Sequence, residues 1–268
     1  MKLAILGSGY MAKAIAGGLC QKKALPKESI LMINPVDEAS ALEFSKSQGI
    51  LFGKKEDLFS ADVMIAAFKP QNLKEAMAMY APYFHQGQLF ISIMAGIEID
   101  TIEALLPCKM AVIRTMPNLA LAVSKSATAY ALGNFASQED GKICEKLFGA
   151  LGVVKQAREE DISIVTALSG SGPAYFYLLA EAMTKAAVNL GLAEDTAKAL
   201  CKQAFLGTAL LWERDDAPAE EMRRRITSKK GTTEAAVLAM EREGFSLAAA
   251  AGVIAAKERS DELAREMK

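Results

Sequence analysis

Met1-Lys2-Leu3-Ala4-Ile5-Leu6-Gly7-Ser8-Gly9-Tyr10-Met11-Ala12 opens the chain, and its reading decides the fold. Residues 2–7 read as a buried strand: a short apolar run that breaks directly into glycine. The residues behind the turn carry Ala14, Ile15, Gly18 and Leu19 at helical spacing. Strand, glycine turn and helix in this order frame the pattern Gly-x-Gly-x-x-Ala, the dinucleotide fingerprint with alanine in its third small position. Gly7 is expected to permit the tight turn, Gly9 to let the backbone approach a pyrophosphate, and Ala12 to let helix and strand pack closely. An ordinary tight turn is the plain alternative.

Working outward, apolar runs of strand length recur. Ile30–Ile33 ends at Asn34-Pro35, and a third strand lies near Leu51-Phe52. Val63–Phe68 runs into Lys69-Pro70, and a helix from Asn72 to Tyr80 follows. Leu89–Ile93 ends in Met94-Ala95-Gly96, and Ala111–Arg114 ends in Thr115-Met116-Pro117-Asn118. Thr128–Leu132 is a further strand, Gln138–Leu151 a helix, and Val153-Val154 closes the unit. Strands alternating with helices imply right-handed crossovers, so the fold class is α/β with an N-terminal Rossmann-type, mostly parallel sheet. Ligands bind such sheets outside the carboxyl ends of the strands. Gly7, Ser8, Gly9, Asn34, Lys69, Pro70, Ala95, Gly96 and Asn118 should therefore line one crevice. An acid at the end of the second strand would hold the ribose 2′-hydroxyl of NADH. Asn34 stands there instead, with Asp37 slightly later and Lys54 and Lys55 near the end of the third strand. This balance favours NADPH and leaves NADH open.

After about residue 160 the strand signals stop, which gives a dinucleotide-binding domain over 1–160 and an all-helical C-terminal domain over 161–268. Leu168-Ser169-Gly170-Ser171-Gly172-Pro173-Ala174-Tyr175 is a small-residue turn opening a helix from Tyr175 to Leu190. A second helix runs from near Glu194 to Trp212, and a short third covers Ala219–Arg225. Gly244 breaks the chain before a last helix, with Ser246 as its expected cap. The helix around Ala197–Leu211 is apolar on much of its circumference. That predicts burial in a helical dimer interface, against the alternative of a monomeric bundle. Ile226-Thr227-Ser228-Lys229-Lys230-Gly231-Thr232-Thr233 lies between two of these helices. Its hydroxyls and glycine suit either an ordinary helix cap or an anion site at a helix N-terminus.

The bulk numbers restrict the function classes. The chain has 268 residues, 51% of them hydrophobic, and a net charge of −1. This is enough for two domains and gives no expectation of nucleic-acid or membrane-surface binding. No apolar run is expected to cross a bilayer, and the N-terminus reads as a strand rather than a signal sequence. Cys20, Cys108, Cys144 and Cys201 are far apart and form no CxxC pair, so neither a metal site nor a disulfide framework is expected. A reduced, cytoplasmic setting follows. The single histidine, His85, lies in a polar loop, so the chemistry is expected to run without a histidine acid or base.

Five stretches together resemble one family, the pyrroline-5-carboxylate reductases. They are Gly7-Ser8-Gly9-Tyr10-Met11-Ala12, Phe68-Lys69-Pro70, Arg114-Thr115-Met116-Pro117-Asn118, Leu168 through Tyr175, and Thr227-Ser228 with Gly231-Thr232-Thr233. The resemblance covers the whole chain. It implies a reductase that transfers hydride from NADPH or NADH to the C=N carbon of L-1-pyrroline-5-carboxylate, the last step of proline biosynthesis. It also implies a homodimer through the helical domain, or a larger assembly built on it. By the same resemblance, Leu6, Gly7, Ser8, Gly9, Tyr10, Met11, Asn34, Lys54, Ala67, Phe68, Lys69, Pro70, Ala95 and Gly96 contact the cofactor. Asn118, Ser228, Gly231, Thr232 and Thr233 contact the cyclic imino acid, with the Thr233 hydroxyl at the ring nitrogen.

This chain departs from the family pattern in three places. Lys229-Lys230 replaces a Pro-Gly pair, Ala120 and Ser126 replace a proline and a glycine, and Arg223-Arg224-Arg225 covers a position usually acidic. Two other readings compete. A β-hydroxyacid-dehydrogenase-like enzyme would use Lys185, with Asn189 one turn on, as its acid. A non-catalytic NADP-binding regulatory protein would account for Lys229-Lys230 as a decayed loop.

Overall fold

The computed structural model describes residues 1–267. β1 (Leu3–Leu6) leads into α1 (Tyr10–Gln21), β2 (Ile30–Ile33) into α2 (Glu38–Gln48), and β3 (Leu51–Phe52) into β4 (Val63–Ala66). Then come α3 (Leu73–Tyr80), β5 (Leu89–Ser92), α4 (Ile99–Glu103), β6 (Ala111–Met116), β7 (Ser126–Leu132), α5 (Gln138–Gly149) and β8 (Gly152–Gln156). The eight strands form one sheet in the order β3-β2-β1-β4-β5-β6-β7-β8. Every pairing is parallel except β6 with β7, where Ile113 faces Leu132 and Met116 faces Ala129. The chain order reverses between β1 and β4, so the topological switch point lies beside Gly7.

β1, β2, β4 and β5 are buried along their whole length, as expected of parallel strands covered on both faces. Alternation then divides the core. Leu3 and Ile5 pack with Ala12, Ile15, Leu19 and Ala41 of α1 and α2 and with Leu147 and Phe148 of α5. Ala4 and Leu6 face the opposite layer, with Leu73, Met77 and Tyr80 of α3 and Ile99 and Ile102 of α4. The complete burial of Ala12 fulfils the role read for the third small residue of the fingerprint.

The remaining helices are α6 (Ile162–Val165), α7 (Gly172–Asn189), α8 (Glu194–Glu213), α9 (Ala219–Arg225), α10 (Thr232–Arg242) and α11 (Phe245–Glu266). Thr166–Gly170 is a single π-turn joining α6 to α7. The small-residue stretch at 168–175 is thus wound into a helical run rather than being an open turn. That run, Glu159–Asn189, is long and apolar enough by length and composition to span a bilayer. This corrects the expectation that no run would qualify. The run arises because the π-turn takes in Ser169 and Gly170, only Ser171 separates it from α7, and Pro173 stands in the first turn of α7, where proline is tolerated.

Two compact units result: Met1–Ser171 with the tail Ala255–Lys268, and Gly172–Ile254. In the second, only Gly172 and Ala197 are buried. Phe176, Tyr177, Leu178, Leu206, Leu211 and Leu247 stand exposed on α7, α8 and α11. The last helix begins at Phe245 behind Gly244 at φ +82°, so the break falls where expected. Ser246 does not cap it. Its hydroxyl lies inside the first turn and donates to Glu241 Oε1 at 2.7 Å.

Candidate functional site

The first unit gathers its candidate residues at the carboxyl edge of the sheet. A cavity of about 380 Å³ is lined by Gly7, Ser8 and Gly9 after β1, by Asn34, Val36 and Asp37 after β2, and by Ala67, Phe68 and Lys69 after β4. Gly7 adopts φ +117°, and a Cβ there would stand 2.8 Å from the Ala67 carbonyl oxygen. Its amide donates to Ile33 O at 2.8 Å, so the turn is clamped between β2 and β4. Gly9 is the N-cap of α1, and no side chain caps the helix. The first turn holds no acid, and a Cβ on Gly9 would meet nothing within 4 Å. Open amides, the positive end of a helix dipole and free space above Gly9 fit a pyrophosphate.

Not every expected residue joins that cavity. Leu6 is fully buried in β1. Tyr10 and Met11 form the first turn of α1, with Tyr10 exposed. Pro70 opens the 3-10 turn ahead of α3, and Ala95 and Gly96 follow β5 at the same edge. Lys54 follows β3 and is exposed, with its amide held by Asp57 Oδ2 at 2.8 Å. Asn118 is occupied within the fold. Its Nδ2 donates to Ser169 O at 2.9 Å, and its Oδ1 accepts the Ala120 amide at 3.2 Å. It thereby ties the end of β6 to the π-turn. Conversely, Asn72, Glu75, Ala76, Met79 and Tyr80 of the α3 region line the cavity. Nothing in their spacing distinguishes them from an ordinary amphipathic helix face. Tyr80 is a wall rather than an acid, because burial pushes its phenol up to about 12.

His85 precedes β5 and so lies at the amino edge, away from the cavity. Its ring nitrogens face the carbonyls of Gln86 at 2.9 Å and Phe59 at 3.0 Å. Those carbonyls, Gln86 first, raise its pKa above the usual histidine value. Lys185 is exposed and donates to Glu181 Oε1 at 2.7 Å, a surface pair one helical turn apart. Neither group is presented as an acid for a substrate.

The second unit carries the hydroxyl-rich loop at the start of α10. Gly231 is the N-cap, no side chain caps the helix, and the first turn exposes the amides of Thr232 and Thr233. The Ser228 hydroxyl lies so close to Gly231 that a Cβ there would collide with it. The Gly231 amide donates to Ser228 O at 3.0 Å, and Lys230 N donates to Glu234 Oε2 at 2.7 Å. Thr227 Oγ1 donates back to Arg223 O at 2.7 Å. Of the arginine run, Arg225 pairs with Asp215 and Glu221, and Arg224 with Glu221. Lys230 sits at φ +58°, a conformation costly for any residue but glycine. Lys230, which stands where the family pattern has glycine, therefore strains the loop. Lys230→Gly should raise the unfolding free energy by roughly 0.5–1 kcal/mol, since relief of left-handed strain outweighs the added chain entropy. Urea unfolding of the two proteins measures the difference.

A model described as pyrroline-5-carboxylate reductase dimerisation matches residues 159–263. A second, described as NADP oxidoreductase coenzyme F420-dependent, matches residues 2–96. Pyrroline-5-carboxylate reductase 2 of Bacillus subtilis is 36% identical over 246 residues, which is 91% of this chain and 88% of that protein. The chain belongs to the pyrroline-5-carboxylate reductase family. The reductase from Coxiella burnetii superposes with a TM-score of 0.91 at 29% identity, covering 98% of both chains. The pyrroline carboxylate reductase of Plasmodium falciparum, solved with NADP bound, gives 0.86 at 26% identity and covers 98% of both chains. Within this reductase family the fold, its glycine turn and the helical second half all find their place, and the β-hydroxyacid-dehydrogenase reading is set aside.

Proposed function

We propose that the chain reduces the C=N bond of L-1-pyrroline-5-carboxylate to L-proline with NADPH, NADH serving less well. One observation carries the reading. The same chain holds a Gly7–Gly9 turn before an uncapped α1 and a Thr-Ser-x-x-Gly-Thr-Thr loop before an uncapped α10. The first suits a dinucleotide, the second a carboxylate. Relatives of that activity at 33–36% identity over at least 91% of the chain support it.

The bound nicotinamide supplies the hydride. The chain's own part is to hold and orient. The Gly7–Gly9 amides and the α1 N-terminus would hold the pyrophosphate, and Ala67, Phe68 and Lys69 wall the same cavity. The amides of Gly231, Thr232 and Thr233, with Ser228, receive the substrate carboxylate. Thr233 Oγ1 hydrogen-bonds the ring nitrogen. A proton taken up from solvent at that nitrogen makes the ring carbon electrophilic, and no oxyanion develops that the chain would have to stabilise. No strong protein acid is needed, which agrees with the remote His85 and the paired Lys185. Positioning supplies most of the rate.

The helical unit supports a homodimer. Its apolar side chains are exposed on three helices, and two buried residues do not make a core. A second copy of this chain is the occupant that the dimerisation match favours. With Cys20, Cys108, Cys144 and Cys201 all free, a reducing, cytoplasmic setting fits. The activity is tested by following oxidation of NADPH and of NADH with racemic pyrroline-5-carboxylate. Turnover with NADPH faster than with NADH is expected, and none with either overturns the reading.

A further inference from the structure

β2 ends at Asn34, and the link to α2 carries Val36 and Asp37 along the cavity wall. In a dinucleotide crevice this corner faces the adenosine ribose, where a free carboxylate binds the 2′-hydroxyl of NADH and repels a 2′-phosphate. Asp37 is not free: its Oδ1 accepts the Ser40 amide at 3.1 Å and caps α2. Asn34 is committed as well. Its Nδ2 donates to Ser8 Oγ at 2.8 Å, and its Oδ1 accepts the Val36 amide at 3.3 Å.

A cation stands next to this corner: Lys13 of α1 reaches Ser40, whose amide Asp37 caps, although neither Lys13 nor Ser40 lines the cavity itself. Lys13 is half-buried and donates from Nζ to Ser40 Oγ at 2.8 Å. Its ammonium also lies over the Phe44 ring, 5.8 Å from the centroid. Among the described residues no carboxylate forms an ion pair with it. Lys54 approaches from the other side only by register. Phe52 pairs with Met32, which brings the exposed Lys54 level with Asn34.

We infer that Lys13, with Ser40 beside it, is the residue pair that selects NADPH over NADH by binding the 2′-phosphate. The inference rests on the dinucleotide crevice of the proposed function and names the determinant within it. Ser40 Oγ accepts from Lys13 and so keeps its own hydrogen to donate to a phosphate oxygen. The lysine is already ordered by the hydroxyl and the ring, which lowers the entropic cost of a charge-assisted bond. Asp37, turned onto the α2 amides, opposes the phosphate less than a free carboxylate would.

Calorimetric titration of Lys13→Met and Lys13→Arg tests this without turnover. The probes are adenosine 2′,5′-bisphosphate against adenosine 5′-monophosphate, and NADPH against NADH. Lys13→Met should weaken both 2′-phosphorylated probes by roughly tenfold to thirtyfold, leave the other two within about twofold, and shed part of the salt dependence. Lys13→Arg should retain most of the affinity. Equal loss for phosphorylated and unphosphorylated probes would reduce Lys13 to a tie between α1 and α2. No loss for either would place the determinant elsewhere. If the parent protein bound neither dinucleotide, the crevice reading would fall, and this inference with it.

Discussion

Thr233→Ala should lower kcat by roughly thirtyfold while the protein folds normally. Thr233 is the second residue of α10, half-buried behind the Gly231 cap. Alanine is at least as good a helix former there, so stability is preserved. The substitution removes the one side-chain hydroxyl assigned to the ring nitrogen. A hydrogen bond that strengthens as the nitrogen changes charge contributes about 2 kcal/mol, which corresponds to that factor in rate. Thr233→Ser should restore most of it. Ser8→Ala is the comparison. Ser8 Oγ accepts from Asn34 in the β1–α1 turn, and its loss should raise the KM for cofactor a few-fold and leave kcat nearly intact. Steady-state kinetics on the three variants decide the matter. A Thr233→Ala enzyme that turns over at the parental rate removes the hydroxyl from the mechanism.

Gly7→Ala should cost about 3 kcal/mol of unfolding free energy, because left-handed strain and a backbone clash act together. The residue sits at φ +117°, and its new Cβ would press on the Ala67 carbonyl at 2.8 Å. The obstacle is backbone, held on the other side by the Gly7 amide bond to Ile33, so no rotamer change relieves it. Gly9→Ala is expected to fail differently. Gly9 has φ −71° and no neighbour within 4 Å of a new Cβ, so the fold should tolerate alanine within about 0.5 kcal/mol. Its methyl would instead occupy space needed by a pyrophosphate and weaken cofactor binding by tenfold or more. Denaturant unfolding and NADPH titration separate the two variants. Equal stability of Gly7→Ala and the parent would contradict the clamped-turn account.

Much of this was legible in the residues. Runs such as Leu3–Leu6 and Val63–Ala66 are apolar without alternation because both faces are covered, and that composition announces parallel central strands. The reversal at β7 was less visible, although 117–125 is shorter than the roughly dozen residues a parallel crossover needs. The division between the units escaped the sequence for a different reason. α11 runs unbroken from Phe245 to Glu266, so although its residues turn from Ala-rich around Gly252 to charged from Lys257, no interruption of the helix marks Ala255 as the point where the chain passes from one unit to the other. In the site, glycines and strand ends pointed to the carboxyl edge of the sheet, where the cavity beside Gly7 lies. The α3 wall did not stand out, since Met79 and Tyr80 look like any helix face. Asn118 read as a substrate ligand, yet its amide groups are taken up by Ser169 and Ala120. Lys54 was the natural candidate for a phosphate contact from sequence. Lys13 became visible only once α1 and α2 lay side by side.

Transfer of a label from cofactor to product tests the central claim most directly. NADPH deuterated at the transferring position of the nicotinamide ring, incubated with the protein and pyrroline-5-carboxylate, should yield proline carrying one deuterium at carbon 5. Proline free of deuterium, or labelled cofactor left unoxidised with no proline formed, would contradict it.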